Sequence, residues 1–132
     1  SAGLEWILDR GVASLWATEQ ARIRRVFARL ADRDAFAGLS LVGPPSSADR
    51  VGVFSFSHEA ASPHEIAAIL ESEFGVRTRA GIHCAPHAHN TFGTTERGGT
   101  VSLSIGPFTT DADIDHAMDA LSEVCAAFST AK

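Results

Sequence analysis

Hydrophobic residues recur along the first quarter of the chain with the spacing of a helix. Between residues 4 and 31 they return every three or four positions, and Gly11 is the one point at which a bend is expected. The helix begins almost at the first residue without a clear N-cap. We therefore expect a chain cut near a helix start, with an apolar surface near Trp6 or Trp16 left exposed by a missing neighbour.

The middle and end of the chain contain shorter apolar segments that alternate in the manner of strands. We expect strands over residues 39–42, 51–57, 76–79 and 101–105. Together with the helices, they give the order helix, strand, strand, helix, strand, short helix, strand, helix. This order predicts an α+β domain in which helices pack on one face of a small antiparallel sheet.

Two of the later helices have recognisable starts. Their capping residues are Ser62, Pro63 and Glu65 for the first and Thr110 and Asp113 for the second. Gly75 is placed to end the first of these helices. The apolar stripe of the last helix includes Cys125, so we expect this thiol to lie in the core.

Composition narrows the class of protein. The 132 residues are enough for one domain with a real core. A formal net charge of -5 without any basic run argues against nucleic acid as a partner. No segment has the length of a membrane span or the pattern of a signal peptide. Two cysteines are too few for a disulfide framework, so a reducing, cytoplasmic setting is expected.

The lysine content limits the chemistry. The only lysine is Lys132, the last residue. Covalent catalysis with pyridoxal phosphate (PLP) needs a lysine amine held in a pocket, and terminal residues are normally frayed. We therefore predict that this chain alone binds no PLP covalently.

One short segment gathers several reactive groups. Residues 79–86 read Arg-Ala-Gly-Ile-His-Cys-Ala-Pro. A cysteine reacts as the thiolate, which cations and helix N-termini favour, and Arg79 and His83 supply such neighbours. Pro86 suits the first turn of a short helix whose positive end would lie near Cys84. Cys84 is therefore the candidate nucleophile.

Two other interpretations of this segment stay open. Cysteine is often a buried small hydrophobe, in which case Cys84 would be inert. Cys84 and the three neighbouring histidines, His83, His87 and His89, are residue types that bind zinc. Their spacing matches no common zinc pattern, so no metal site is predicted.

The same segment resembles the C-terminal part of a class V aminotransferase family member, most closely the cysteine desulfurase and selenocysteine lyase branch. Residues 3–7 resemble the start of the long helix after the family's large domain. Residues 99–110 resemble its late strand and turn, and residues 113–115 fit its last helix. The resemblance implies that residues 1–132 are a single C-terminal small domain of a fold type I PLP enzyme, whose PLP-binding large domain is absent from this chain.

The resemblance also implies a reaction. In such enzymes PLP and L-cysteine react, the motif cysteine takes the sulfur as a persulfide, alanine leaves, and the sulfur passes to an acceptor protein. Cys84 matches the motif cysteine, while Arg79 and His83 match positions beside it and are expected to bind substrate. The full-length protein would be a homodimer containing PLP, and this chain alone would be inactive.

Ser102 departs from the family pattern. The family usually carries an arginine at this position in the late strand, where it holds the substrate α-carboxylate. A serine hydroxyl cannot replace the charge of a guanidinium. This departure keeps two alternatives open: a class V member with another reaction type, and a non-catalytic binding or sulfur-relay domain in which Cys84 is inert.

Overall fold

The elements follow the predicted order, except that the first helix is divided into two. The computed structural model describes residues 1–48 and 50–129. Within these residues the elements are α1 (Ala2–Arg10), α2 (Val12–Leu30), β1 (Leu39–Val42), β2 (Val53–His58), α3 (Pro63–Phe74), β3 (Arg79–Gly81), α4 (Pro86–Phe92), β4 (Thr100–Ser104) and α5 (Asp111–Ser129). None of the helices within the described residues is long and apolar enough to cross a bilayer.

The four strands form one antiparallel sheet in the order β1-β2-β4-β3. Strand β4 therefore lies between β2 and β3, so that Phe54 is opposite Leu103 and Phe56 is opposite Val101. These side chains point to one face and are part of the hydrophobic core, as are residues of α2, α3 and α5. The predicted α+β fold, with a small antiparallel sheet and helices on one face, is confirmed.

Aromatic and aliphatic side chains join the helices to this covered face. The rings of Phe27 in α2 and Phe54 in β2 lie 6.2 Å apart. Ile66 of α3 and Met118 of α5 are at most 1% exposed. Burial of one such side chain stabilises the fold by about 1.5–3 kcal/mol, so the covered face is the main source of stability.

The predicted helix caps are present. Glu65 donates its backbone N–H to Oγ of Ser62 at 3.3 Å, and the carboxylate of Glu65 accepts from the Ser62 N–H at 2.8 Å. These hydrogen bonds hold the pKa of Glu65 below its usual range. Thr110 and Asp113 make the same reciprocal pair at the start of α5. Gly75 ends α3 in the left-handed conformation.

Gly11 interrupts the long first helix that the periodicity predicted. Its backbone has φ 78° and ψ 128°, a conformation that suits glycine and that stops the helical hydrogen-bond ladder. Helix α1 contains no buried residue. Trp16 is 48% exposed and Leu8 is 66% exposed, so the predicted exposed apolar surface near the tryptophans is confirmed.

Two strands begin two or three residues later than predicted. The third strand was expected over residues 76–79 but spans Arg79–Gly81. Val76 instead donates its N–H to Leu70 O at 2.8 Å and so belongs to the C-terminal cap of α3. The second strand begins at Val53 because the N–H of Gly52 is bound at 2.6 Å by the carboxylate of Glu19.

Candidate functional site

Cys84 lies on an exposed turn between β3 and α4. The turn is closed by a hydrogen bond from Ala85 N–H to Ile82 O at 3.3 Å. His83 has φ 50°, a left-handed conformation that is uncommon for a residue with a β-carbon. Pro86 opens α4 as predicted, and Cys84 comes just before its N-cap. The thiol is therefore presented to solvent by a defined turn.

The guanidinium of Arg79 contacts this turn. Its Nη2 donates to Nδ1 of His83 at 3.3 Å. A guanidinium has only hydrogen-bond donors, so Nδ1 of His83 is the acceptor in this contact. The structure thus joins Arg79 to His83, the residue before Cys84. The roles expected of the three side chains stay a prediction.

The face of the sheet opposite the helices is lined by hydroxyl groups. Ser102 in β4 is opposite Arg79 on one side and opposite Ser55 of β2 on the other. The hydroxyls of Ser55 and Ser102 are hydrogen-bonded at 2.9 Å. We call this surface the open face; its polar members are Ser40, Ser55, Ser57, Arg79, Ser102 and Ser104. Sequence reasoning missed Ser55 because the β2–β4 pairing is not between consecutive strands.

Close backbone packing fixes the start of the Cys84 turn. Gly81 has φ 115°, and a β-carbon on Gly99 would overlap its carbonyl oxygen. The ring of His64, near the start of α3, lies on the other side: a β-carbon on Gly81 would be 3.5 Å from its Cε1. The contact between His64 and Gly81 was not predicted, since no local pattern links the two residues.

The remaining histidines of the segment do not converge on Cys84. Nδ1 of His89 is 2.7 Å from Oγ1 of Thr94, a contact that ties α4 to the loop after it. His87 is exposed. Within residues 1–48 and 50–129, no group of three or more histidine, cysteine or acidic side chains is arranged to hold a metal ion. The geometry therefore gives no support to the zinc interpretation.

Cys125 is buried, whereas Cys84 is exposed. It lies on the buried side of α5 and is 1% exposed. Burial raises the pKa of its thiol to about 11, because a thiolate is poorly solvated in the core. The prediction that Cys125 serves core packing is confirmed.

No lysine lies among residues 1–48 and 50–129, which the structure describes. The sole lysine, Lys132, lies outside the described residues. Covalent attachment of PLP needs a lysine amine, and the expectation that this chain alone binds no PLP covalently stays a prediction.

Comparison with known proteins identifies the family. The family model described as aminotransferase class-V matches residues 1–117. Because this match covers most of the chain, the protein belongs to the class V aminotransferase family. Within that family it is cysteine desulfurase-like, as its relatives show.

The curated relatives are cysteine desulfurases of archaea and bacteria. A cysteine desulfurase of Haloferax volcanii is 27% identical over 121 residues, which is 92% of this chain and 26% of the relative. A probable cysteine desulfurase of Methanothermobacter thermautotrophicus is 33% identical over 87 residues, which is 66% of this chain and 21% of the relative. The chain thus spans about a quarter of the length of these relatives or less.

A solved structure has the same fold. The apo cysteine desulfurase of Thermococcus onnurineus superposes with a TM-score of 0.82 at 24% identity, covering 96% of this chain and 30% of that protein. At this identity the likeness establishes the fold alone. It agrees with a small domain within a longer polypeptide.

Proposed function

We propose that this chain is the C-terminal small domain of a PLP-dependent cysteine desulfurase-like enzyme, in which Cys84 accepts sulfur from L-cysteine. The observation that carries the proposal is the exposed thiol on a fixed turn, beside a guanidinium and an open polar face. Arg79 and His83 bind substrate next to the thiol. The membership of the class V aminotransferase family and the similarity to cysteine desulfurases support the proposal.

The proposed step balances without any further reactant. The sulfur of Cys84 forms an S–S bond with the substrate sulfur while the substrate C–S bond breaks. The bonding electron pair and a proton go to the substrate carbon, so that L-cysteine becomes alanine and Cys84 becomes a persulfide. Bound PLP supplies the electron sink that makes this C–S bond labile. Transfer of the outer sulfur to an acceptor protein then restores the thiol.

The cofactor site belongs to the proposed large domain. The described residues do not enclose the open face on its solvent side, and α1 leaves apolar surface uncovered. A cavity of about 530 Å³ lies between α1, α2 and the segment after β4, lined in part by Trp6, Trp16 and Phe108. We assign these two surfaces to contact with the large domain in a full-length homodimer. Alone, the chain is expected to bind no PLP covalently and to release no alanine.

The experiment uses the full-length protein loaded with PLP and given L-cysteine, with alanine as the measured product. Wild type and Cys125→Ser should form alanine, and Cys84→Ser should form none or only a trace. Cys125→Ser is the matched control because it removes a thiol without touching the open face. Loss of alanine in both variants, or in neither, would contradict the assigned role of Cys84.

Ser102 favours one second candidate, a class V enzyme with another reaction type. The hydroxyl of Ser102 is hydrogen-bonded to that of Ser55, and Arg79 of β3 is the cationic residue opposite Ser102. Turnover of a different amino acid at the same rate in wild type and Cys84→Ser would support this candidate. A protein with bound PLP and no turnover of any amino acid would instead favour a non-catalytic relay or binding domain.

A further inference from the structure

We infer that His89 is a positioning residue, which holds the turn that carries Cys84 in place through Thr94 and Gly99. The inference rests on the proposed function in one respect, namely that Cys84 must meet a substrate sulfur. It goes beyond that function because it gives a role to a histidine five residues after the thiol.

The segment that carries Cys84 leaves the sheet and returns to it at a single place. Gly81, the last residue of β3, is opposite Thr100, the first residue of β4. Gly99 precedes Thr100, and a β-carbon on Gly99 would overlap the carbonyl group of Gly81. The two ends of residues 82–99 are therefore packed against each other, and contacts inside this segment decide where Cys84 lies.

Helix α4, which follows Cys84, gains little from the hydrophobic core. It has seven residues, and none of them is buried. A helix this short is marginal unless tertiary contacts support it. Its N-cap residue, Ala85, makes no side-chain cap hydrogen bond. The helix therefore needs an attachment at its C-terminal end to keep the Cys84 turn in one place.

His89 provides that attachment. Its Nδ1 and Oγ1 of Thr94 are hydrogen-bonded at 2.7 Å, and the Thr94 N–H donates to His89 O at 2.9 Å. Thr94 is 5% exposed, so water competes little for its hydroxyl. The Thr94 carbonyl in turn accepts from the Gly99 N–H at 2.9 Å. Arg97 joins the same loop to β2, since its Nη1 donates to His58 O at 3.2 Å.

Backbone hydrogen bonds connect His89 to the thiol-bearing turn. The His89 N–H donates to Ala85 O at 3.1 Å, and the Ala85 N–H donates to Ile82 O at 3.3 Å. Cys84 lies between Ile82 and Ala85 in the sequence. A β-carbon on Gly99 would be 2.7 Å from Ile82 N, so Gly99 packs against the start of the turn. The contacts therefore form a closed ring that contains the Cys84 turn, and the His89 imidazole is a side-chain link in this ring.

The placement of the thiol matters for the proposed sulfur transfer. Reacting atoms must approach to about 3–3.5 Å, and a displacement of about 1 Å can lower the rate about a hundredfold. Loss of the hydrogen bond between His89 and Thr94 should therefore lower kcat. It should leave KM nearly unchanged, because it removes no group to which substrate binding is assigned.

The first test measures kcat and KM for alanine formation by the full-length protein loaded with PLP. His89→Phe keeps an aromatic ring but removes the hydrogen bond, and Thr94→Val removes the hydrogen bond from the other side. Both variants should lower kcat by about tenfold to a hundredfold and change KM by less than about twofold. His89→Asn, whose amide can hydrogen-bond to Thr94, should restore most of the wild-type kcat.

Thr95→Ala is the matched control. Oγ1 of Thr95 donates to Oδ1 of Asn90 at 2.7 Å, which equals the distance in the His89–Thr94 pair. The two pairs also have the same spacing along the chain, but the Asn90–Thr95 pair is exposed. Thr95→Ala should therefore leave kcat and KM unchanged. An equal fall of kcat in Thr95→Ala would show a general loosening of the loop and would contradict the role assigned to His89.

A second test needs neither PLP nor turnover. A nitroxide spin label is attached to Cys84 of this chain in the Cys125→Ser background, and electron paramagnetic resonance measures the nanosecond motion of the label. The label should move faster in His89→Phe and Thr94→Val than in the background chain. It should keep the background rate in His89→Asn and Thr95→Ala. Circular dichroism of each variant checks that the fold is retained.

The two tests together separate this inference from the proposed reaction. If wild type forms no alanine but the label moves faster in His89→Phe, the proposed reaction is refuted and the anchorage of Cys84 is supported. Unchanged kcat in both His89→Phe and Thr94→Val would overturn the inference, whether or not the label moves faster. A lowered kcat with unchanged label motion would place the effect outside the Cys84 turn and would overturn it as well.

Discussion

The two faces of strands β2 and β4 are built from alternate residues and have opposite properties. Phe54 is fully buried against the helices, whereas its neighbour Ser55 projects to the open face and bonds to Ser102. The two cysteines repeat the contrast: Cys125 is buried in the core and Cys84 is exposed on a turn. The covered face provides most of the stability of the fold. The open face can therefore carry polar groups that contribute little to that stability.

The largest expected effect is the loss of a covered-face aromatic side chain. Phe54→Ala should lower the free energy of unfolding by about 3–5 kcal/mol, because it leaves a cavity among α2 and β2 side chains. Ser55→Ala is the matched open-face control and should cost about 1 kcal/mol for one half-buried hydrogen bond. Urea denaturation measures both. Equal losses in the free energy of unfolding would contradict the conclusion that the covered face is the main source of stability.

The next effect is the difference in thiol reactivity. At pH 8 a thiol with a pKa of about 11 is about one part in a thousand thiolate, and Cys125 is also shielded by packing. Iodoacetamide should therefore modify Cys84 at least about a hundredfold faster than Cys125. Peptide mass spectrometry follows both sites, and in denaturing urea the two rates should converge. Similar rates in the folded protein would contradict the burial of Cys125.

The same buried thiol predicts alkaline sensitivity. Folded Cys125 keeps its proton up to a pKa of about 11, whereas in the unfolded chain a thiol loses it above roughly 8.5. Stability is therefore fully present below that lower value and falls as the pH rises toward 11, by roughly 3 kcal/mol in total.

Cys125→Ala is the control for this pH dependence, and it should flatten the fall in stability between these two pH values. The chain has no tyrosine and one lysine, so few other groups titrate in this range. Thermal unfolding measured at several pH values gives the slope of stability against pH for wild type and for Cys125→Ala. An unchanged slope in the variant would assign the alkaline effect to another group.

The smallest expected effect concerns helix α1. Leu8→Ala should change the free energy of unfolding by less than about 0.5 kcal/mol, because Leu8 is 66% exposed. Leu70→Ala is the matched buried substitution and should cost about 2–5 kcal/mol. A large cost for Leu8→Ala in this chain would mean that α1 packs more closely than its exposure indicates.

Local patterns in the sequence were sufficient to predict much of the fold and the turn at the centre of the candidate site. The Ser62 and Thr110 caps, the helical stripe that includes Cys125, and the turn that presents Cys84 all depend on residues close together in the chain. Each was predicted because short-range geometry determines it.

Features that depend on distant residues were not predicted. The Ser55–Ser102 pair requires β4 to insert between β2 and β3, and no local signal fixes that strand order. The packing of His64 against Gly81 and the ion pairs of Arg25 with α5 likewise join residues far apart in sequence. The boundary of β3 was wrong because the cap of α3 uses Val76.

The central claim is that Cys84, and not Cys125, receives sulfur. The two thiols are readily separated, since cleavage after arginine and lysine puts them in the peptides 80–97 and 98–132. The decisive measurement is the mass of both peptides after the full-length, PLP-loaded protein has been given L-cysteine under non-reducing conditions. We predict a gain of one sulfur on peptide 80–97 and none on peptide 98–132. Alanine formation with no sulfur on peptide 80–97 would contradict the account.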